Sequence, residues 1–314
     1  MPAHNLTTRC ELRFMKRNGY SWRRRKRDEG GETVFASEWT VYSAPGAGRG
    51  GSAVYRAITD VRRAKHVVIR LFWRDFRANF KQKILGYVWA LLTPLMGALT
   101  FIILYFAGIL RPGTTEIPYP LYALIGTTIW GALTSTVAVT AGSLQSQADL
   151  LLRTQVPKLA MFTASVGTVL YGIATSMITL LIVFLLFSTR PSMWFLLYPL
   201  LVSPIVLLGL GIGLILASTS VIAKDLTVLA SQFLAVLMFL TPAVLVPAVT
   251  NDLLSLVMKW NPLSYLIEVP RNLITGQGAG NLPVYLLVAA LSLLFIPVAL
   301  RVFYALEGLV AERL

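Results

Sequence analysis

Charge, cysteine and histidine are all scarce in this chain. Charged residues make up 13% of its 314 residues and hydrophobic residues 56%. A soluble domain carries about 25% charged residues, so this composition argues against a soluble globular protein. The one cysteine, Cys10, lies in a polar stretch, and the two histidines, His4 and His66, stand far apart. A disulfide framework and a Cys/His metal site are therefore excluded.

Nucleotide-binding and catalytic motifs are also missing. The sequence contains no G-x-x-x-x-G-K-[ST] motif, so we expect the chain to bind no cofactor and any use of ATP to require a partner. Residues 46–51 match G-x-G-x-x-G, but no strand precedes them and we interpret them as a linker. The long apolar runs contain no charge, which argues against an ion-coupled transporter. They also lack paired carboxylates, an H-E-x-x-H motif and a Ser-His pair, which disfavours an intramembrane hydrolase.

Positive charge is concentrated near the N-terminus. Residues 1–85 hold 19 of the 28 Lys and Arg residues. Because positive residues beside apolar runs mark the cytoplasmic side of a membrane protein, we predict that both termini are cytoplasmic and that nucleic acid is not a partner. Residues 1–60 contain the basic block 23–27 and the Gly-rich stretch 45–51 and lack apolar periodicity. We predict a disordered, basic cytoplasmic tail there.

Residues 61–83 are predicted to form an amphipathic helix at the membrane interface. Aromatic and aliphatic side chains fall on one stripe at helical spacing, with Trp73 beside it. The stripe consists of Ile69, Phe72, Phe76 and Phe80. The basic side chains on another face are Arg63, Arg70, Arg74, Arg77 and Lys81. This pattern is typical of a helix that lies in the interface; a solvated basic helix or a nucleic-acid-binding arm is the alternative.

Residues 84–314 are predicted to form an all-α integral membrane domain with six transmembrane helices. Each span needs about 20 mainly apolar residues, and the few charges of this region delimit them. The predicted spans are residues 84–110, 120–142, 159–188, 194–223, 226–249 and 282–300. In the fourth span, Gly209, Gly211 and Gly213 indicate that another helix approaches closely.

Two connections between the spans have distinctive patterns. Leucines and polar residues alternate over residues 143–158 before a proline reorients the chain. This predicts either a short surface helix or a tight connector. On the opposite side, Asn261 and Pro262 begin a helical stretch in which Glu268 and Arg271 are spaced to pair at i, i+3. Proline and glycine on both sides predict an outer re-entrant segment between spans five and six.

Three segments carry a family resemblance. They are RDFR at 74–77 followed by FKQKILGYVWALLTP at 80–94, LLRTQVPK at 151–158, and NPLSY at 261–265 followed by RNLI at 271–274. Over residues 62–310 the chain resembles the permease subunit of type-2 ABC exporters, in the branch that exports O-antigen, capsular polysaccharide and teichoic acid. It departs from that family in residues 1–60 and at Lys224-Asp225, where the family more often has Arg-Asp.

The resemblance implies a transport subunit that is not itself an enzyme. Two copies of the chain would form the path as a homodimer, driven by two copies of a cytoplasmic ATP-binding subunit that holds ATP and Mg. The surface helix would then couple to this ATPase through Gln145, Asp149, Leu151, Leu152, Arg153, Pro157 and Lys158. The interfacial helix would act as a gate that contains Arg74, Asp75, Phe76, Arg77 and Lys81.

The implied cargo is a lipid-linked polysaccharide that crosses the bacterial inner membrane. Sugar rings stack on aromatic side chains, and several aromatics lie in the first two spans. We assign Phe101, Tyr105, Tyr119, Tyr122 and Trp130 to the translocation path. An interfacial aromatic belt is the alternative for each of them. A drug, antibiotic or lipid exporter of the same superfamily is the nearer alternative function, and a membrane-embedded glycan-processing enzyme the more distant one.

Overall fold

The computed structural model describes residues 53–81, 88–109, 116–147, 158–220, 223, 225–247 and 252–313. Most of these residues lie in helices, and no strand occurs among them. The first five α-helices are Ala53–Arg63 (α1), Lys65–Lys81 (α2), Val88–Phe106 (α3), Tyr119–Ala141 (α4) and Lys158–Leu186 (α5). The next five are Tyr198–Thr219 (α6), Asp225–Leu237 (α7), Asp252–Trp260 (α8), Pro262–Thr275 (α9) and Leu282–Arg313 (α10). Short 3-10 helices lie at Gln145–Gln147 (η1), Met193–Leu197 (η2) and Met238–Leu240 (η3).

Within these ranges, four helical stretches are long and apolar enough to cross a membrane. They are Tyr119–Ala141, Lys158–Leu186, Met193–Thr219 and Leu282–Leu306. They correspond to the predicted second, third, fourth and sixth spans. The predicted first and fifth spans contain shorter apolar helices, Leu91–Phe106 and Asp225–Leu240. Among the described residues, four of the six predicted spans are therefore matched by a helix long enough to cross a membrane.

The two shorter helices end at turns that their own residues impose. Just beyond Phe106, Gly108 has a φ of 71° and its N–H donates to the Tyr105 carbonyl. A left-handed glycine in this position is a common helix terminator. Beyond Leu240, Pro242 has no N–H with which to continue the helical hydrogen bonds. The apolar runs seen in the sequence are thus longer than the helices they contain.

Helix α4 is central to the bundle. It packs against α3, α5, α6, α7 and α9. Its contact with α6 depends on two of the predicted glycines, because a Cβ added at Gly213 would lie 1.7 Å from Thr140 Oγ1 and one added at Gly209 would lie 3.1 Å from Thr136 Cβ. The predicted close approach of a neighbouring helix is confirmed. A larger side chain at Gly213 would displace the Thr140 side chain, and one at Gly209 would be tightly packed against Thr136 and the Leu133 carbonyl.

The N- and C-terminal helices extend beyond their predicted limits and contact each other. Residues 53–60, which the sequence pattern places in the tail, form most of α1. Ala57 is buried, and the Tyr304 hydroxyl donates to Asp60 Oδ2 at 2.9 Å. Helix α10 continues to Arg313, past the predicted end of the sixth span at residue 300. Packing between α1 and α10 explains both differences, since each helix covers apolar residues of the other.

The predicted amphipathic helix is present as α2, and its location at a membrane interface stays a prediction. Its buried side coincides only in part with the predicted stripe: Phe72 and Phe76 lie against α5, at Gly167 and Tyr171. Leu71 is buried and Val67 is partly buried against α5 and its neighbours. Ile69 and Trp73, which the pattern places on or beside the apolar stripe, are about half exposed, at 54% and 50%. The contact of α2 with α5 selects which apolar side chains face inwards.

The predicted re-entrant segment contains two helices that differ in burial, the largely exposed α8 and the largely buried α9. Helix α8 exposes Leu253 and Trp260, whereas α9 buries Leu266 and Ile267 against the bundle. Helix α9 packs against α4, α6, η2 and α10. It ends at Gly276, whose φ of 81° is left-handed. Re-entry of this segment into a membrane stays a prediction.

Candidate functional site

The structure brings together three of the aromatic residues assigned to the path. The ring centroids of Tyr105 and Tyr119 lie 5.0 Å apart, and those of Tyr119 and Tyr122 lie 6.2 Å apart with nearly parallel planes. Phe101 instead faces Phe239, with 6.2 Å between the centroids. Trp130 lies in the hydrophobic core. The tyrosines therefore form one aromatic face at the end of the bundle where α3 ends and α4 begins.

Arg271 of α9 completes this group, which we call the tyrosine–arginine cluster (Tyr105, Tyr119, Tyr122 and Arg271). Its guanidinium carbon lies 3.7 Å from the Tyr122 ring centroid, a cation–π contact. The side chain is 1% exposed and its Nη2 donates to the carbonyls of Pro242 and Ala243. A buried arginine needs such partners because an unpaired charge is costly to bury.

The predicted pairing of Arg271 with Glu268 is wrong. Both side chains are described, yet Arg271 makes its contacts with backbone carbonyls and a tyrosine ring instead. The i, i+3 spacing allows the pair, but the turn after η3 brings several unpaired carbonyls to the other side of Arg271. A helix C-terminus leaves such carbonyls without intrahelical partners. The tertiary contact therefore replaces the local one.

The carbonyls that follow η3, in the 240–245 turn (residues 240–245), accept hydrogen bonds from three more side chains. Tyr119 donates to Val244 at 3.3 Å, and Tyr122 donates to Pro242 at 3.2 Å and Leu245 at 3.4 Å. Asn261 Nδ2 donates to Leu240 at 3.0 Å. The turn is thus held by α4 and α9 together.

Asn261 and Pro262 have a second, local role at the start of α9. Asn261 Oδ1 accepts a hydrogen bond from the Leu263 N–H at 3.0 Å, and Pro262 occupies the first helical position. An asparagine N-cap followed by proline is a preferred helix start. The predicted beginning of the helical stretch at these two residues is confirmed. Because the same asparagine also binds Leu240, the start of α9 is joined to the 240–245 turn.

At the opposite end of the bundle, the predicted gate helix contacts the segment that leads into the predicted coupling region. Asp75 Oδ1 forms an ion pair with Arg74 at 2.8 Å. Asp75 Oδ2 accepts a hydrogen bond from Gln147 Nε2 at 3.1 Å. Gln145 Nε2 donates to the Ser220 carbonyl at 3.1 Å. The 3-10 helix η1 is therefore tied to both α2 and the end of α6.

Other predicted residues at this end are described only in part. Phe76 packs edge-on against Tyr171 of α5 with 5.1 Å between centroids, and the Arg77 guanidinium lies 5.9 Å from the Trp73 ring centroid. Lys158 begins α5. Five of the predicted coupling residues lie outside the described residues, namely Asp149, Leu151, Leu152, Arg153 and Pro157. Lys81 ends α2, and its side chain is outside the description.

Sequence reasoning missed Gln147 as a partner of the gate helix. Gln147 is 5% exposed and lies 72 residues from Asp75 in the chain. One available signal is that Asp75 is the only carboxylate in α2, so that an amide or basic partner was to be expected for it. Among the described residues no group of three or more His, Cys, Asp and Glu side chains is placed to hold a metal.

Apolar helices of membrane-spanning length, in a chain this poor in charge, define a multi-pass membrane protein. The family model described as ABC-2 type transporter matches residues 66–275, which is more than half of the chain. The chain belongs to the ABC-2 type transporter family. It is accordingly a transporter permease rather than an enzyme, and membership implies an ATP-binding partner.

Individual relatives agree with this assignment. The chain is similar to the O-antigen export system permease protein RfbA of Myxococcus xanthus, with 23% identity over 262 residues, or 82% of this chain and 99% of the relative. It is also similar to two O-antigen export system permease proteins RfbA of Klebsiella pneumoniae. Their identities are 24% and 23%, over 64% and 77% of this chain and 76% and 92% of the relatives. The resemblance inferred from the sequence motifs is confirmed.

Proposed function

We propose that this chain is the membrane-spanning subunit of an ATP-driven exporter that moves a lipid-linked polysaccharide, of the O-antigen or capsule type, across the inner membrane of a bacterium. The observation that carries the proposal is the similarity to an O-antigen export permease along 99% of that relative's length. A match over nearly the whole relative includes both ends of the bundle and the segments between the helices.

The proposed assembly contains two copies of this chain and two copies of an ATP-binding subunit. Since the sequence has no phosphate-binding loop, ATP and Mg would be held by the partner, and this chain would bind no cofactor. The apolar side chains exposed on the helices leave ample surface for lipid and for a second copy. The path would run between the two copies.

Coupling to ATP hydrolysis would occur at the end of the bundle that carries α2 and η1. We propose that residues 145–158 contact the ATPase and that the Asp75–Gln147 hydrogen bond transmits their movement to the gate helix. The distance of 3.1 Å and the burial of Gln147 support this, because a partly buried hydrogen bond with a charged acceptor is stronger than one between neutral groups. Movement of η1 would then pull α2 rather than slide past it.

The tyrosine–arginine cluster is proposed to lie beside the outer end of the path. Aromatic faces contact the C–H faces of sugar rings without requiring one fixed register, which suits a polymer that slides. Tyr105 and Tyr122 are only partly buried. Tyr119 and Arg271 are buried and support them from behind. Phe101 and Trp130 are proposed to act through packing.

We propose that both termini are cytoplasmic, as the distribution of Lys and Arg indicates. Single cysteines introduced by Thr115→Cys and Thr227→Cys, in a Cys10→Ser background, test this orientation in cells. An impermeant thiol reagent should label position 115 from outside and position 227 only after the inner face is exposed. The reverse pattern would overturn the orientation.

Gene deletion tests the proposed function directly. We expect the deletion strain to lose its surface polysaccharide and to accumulate lipid-linked glycan inside, and a plasmid copy of the gene should restore export. Copurification of an ATPase with the tagged chain is expected as well. Normal surface polysaccharide in the deletion strain, with new sensitivity to a small toxic compound, would instead support the drug-exporter alternative.

A further inference from the structure

A cavity of about 430 Å³ lies among α3, α4 and α5, on the side where α2 crosses the bundle. This volume is within the range of about 300–1,000 Å³ found for small-ligand sites. Its wall contains the aromatic side chains Phe76, Trp89 and Tyr171. It also contains the hydroxyl side chains Thr93, Thr127, Thr128, Ser135, Thr168, Thr175 and Ser176. No described residue of the lining carries a charge at neutral pH, which disfavours an ionic ligand.

The hydroxyl groups of this lining present acceptors to the cavity. Thr93 donates to the Trp89 carbonyl at 2.8 Å and Ser176 donates to the Gly172 carbonyl at 2.8 Å. Once its proton is used on the helix backbone, a hydroxyl retains lone pairs that accept hydrogen bonds. A ligand with several O–H donors satisfies such a surface.

Thr128 supplies the independent sign that a polar ligand belongs here. Its side chain is 4% exposed, and its Oγ1 has no hydrogen-bond partner in the protein. An unsatisfied hydroxyl buried in an apolar bundle costs free energy. Rotation of the Thr128 side chain towards a hydroxyl-bearing ligand in the cavity would remove that cost.

A second cavity serves as a comparison. It has a volume of about 530 Å³, lies between α5 and α6, and is lined by aliphatic side chains together with Phe195, Pro199 and one hydroxyl residue, Ser203. Ser203 already donates to the Leu200 carbonyl at 2.7 Å. This groove suits a hydrocarbon chain, whereas the cavity among α3, α4 and α5 combines stacking surfaces with hydrogen-bond acceptors.

We propose that the cavity among α3, α4 and α5 binds a neutral sugar ring of the glycan before it reaches the tyrosine–arginine cluster. This inference rests on the proposed polysaccharide export and adds a loading site to it. Trp89 and Tyr171 provide faces for the C–H surface of the ring, and Thr128 accepts from or donates to its hydroxyls. Because Phe76 of the gate helix forms part of the wall, movement of α2 opens or closes the site.

Protection of a cysteine tests binding without any transport. The full-length Thr128→Cys variant, in a Cys10→Ser background and in lipid nanodiscs, is labelled with N-ethylmaleimide in the presence of octyl maltoside or octyl phosphate. Octyl maltoside should slow labelling saturably, by at least about fivefold at high occupancy, and octyl phosphate should not. The control is Ser203→Cys in the cavity between α5 and α6. Only the alkyl chain of either probe suits this cavity, so both probes should slow labelling at position 203 equally. Equal protection by both probes at position 128 would overturn the sugar site.

Filling the cavity tests its role in cells. Gly131 lines the cavity, and an added Cβ there meets nothing within 4 Å. We expect Gly131→Leu to fill part of the cavity, whereas Gly131→Ala leaves most of it open. We expect Gly131→Leu and Thr128→Val to reduce surface polysaccharide at normal membrane levels, and Gly131→Ala and Thr128→Ser to retain it. Full export by the first two variants overturns the loading site and leaves polysaccharide export standing. Normal surface polysaccharide in the deletion strain overturns export itself.

Discussion

Replacement of Gly126 by alanine tests how closely α4 meets the 240–245 turn. Gly126 lies in α4, one turn beyond Tyr122, and faces the backbone of the turn. An added Cβ would lie 1.8 Å from the Ala243 carbonyl oxygen and 2.4 Å from Arg271 Nη2. No rotamer change removes a contact between a Cβ and a backbone oxygen. Either α4 or the turn must therefore move, and Arg271 must move with them.

The expected cost follows from three contributions. Overpacking of a well-packed core costs about 1–3 kcal/mol. Displacement of the turn weakens a hydrogen bond from a charged donor, worth about 1.5–3 kcal/mol. The better helix propensity of alanine offsets about 1 kcal/mol. We therefore expect Gly126→Ala to lose about 1.5–5 kcal/mol of stability.

Thermal unfolding of the purified permease, followed by tryptophan fluorescence in one detergent, measures this loss. At about 2.1 cal/mol/K of unfolding entropy per residue, 1 kcal/mol corresponds to about 1.5 °C in a chain of 314 residues, so Gly126→Ala should lower the Tm by at least about 2 °C. The control is Gly131→Ala in the same helix, where an added Cβ meets nothing within 4 Å and the Tm should stay the same or rise. Equal Tm values for the two variants would refute the close approach of α4 to the 240–245 turn.

Three further predictions concern the contacts at the two ends of the bundle. Asp75→Ala, Gln147→Ala and the double variant should reduce export in reconstituted vesicles to a similar extent, because both single changes remove the Asp75–Gln147 hydrogen bond. Asp75→Ala also removes the ion pair with Arg74, but exposed ion pairs contribute little; additive losses would show separate roles. Arg271→Lys should lower the Tm more than Glu268→Gln, since Arg271 contacts two carbonyls and the Tyr122 ring, and equal shifts would contradict this. Deletion of residues 2–52 should leave surface polysaccharide unchanged. Deletion of residues 2–63 should reduce it, because α1 packs on α10. Equal export by both truncations would show that α1 is dispensable.

Composition and motif spacing were sufficient for the class, the family and several local features. A long apolar run with few charges satisfies its own backbone hydrogen bonds inside a membrane by forming a helix, so the helical membrane body followed directly. Asn261 and Pro262 marked the start of α9 because capping depends on neighbouring residues alone. The glycines of α6 predicted a close neighbour, although the sequence did not identify α4 as that neighbour.

Contacts between residues distant in the chain were decided by the tertiary structure. Arg271 has a carboxylate at helical spacing, yet it binds carbonyls 28 and 29 residues away because the end of η3 lies beside it with those carbonyls unpaired. Asp75 and Gln147 are likewise distant in the chain, and they are brought together only when α2 packs across the bundle. Helical periodicity specifies which side chains share a face, but the neighbouring helix determines which face is buried. The local pattern therefore determined the helices and the family, while packing determined the clusters at the two ends and the hydroxyl-lined cavity.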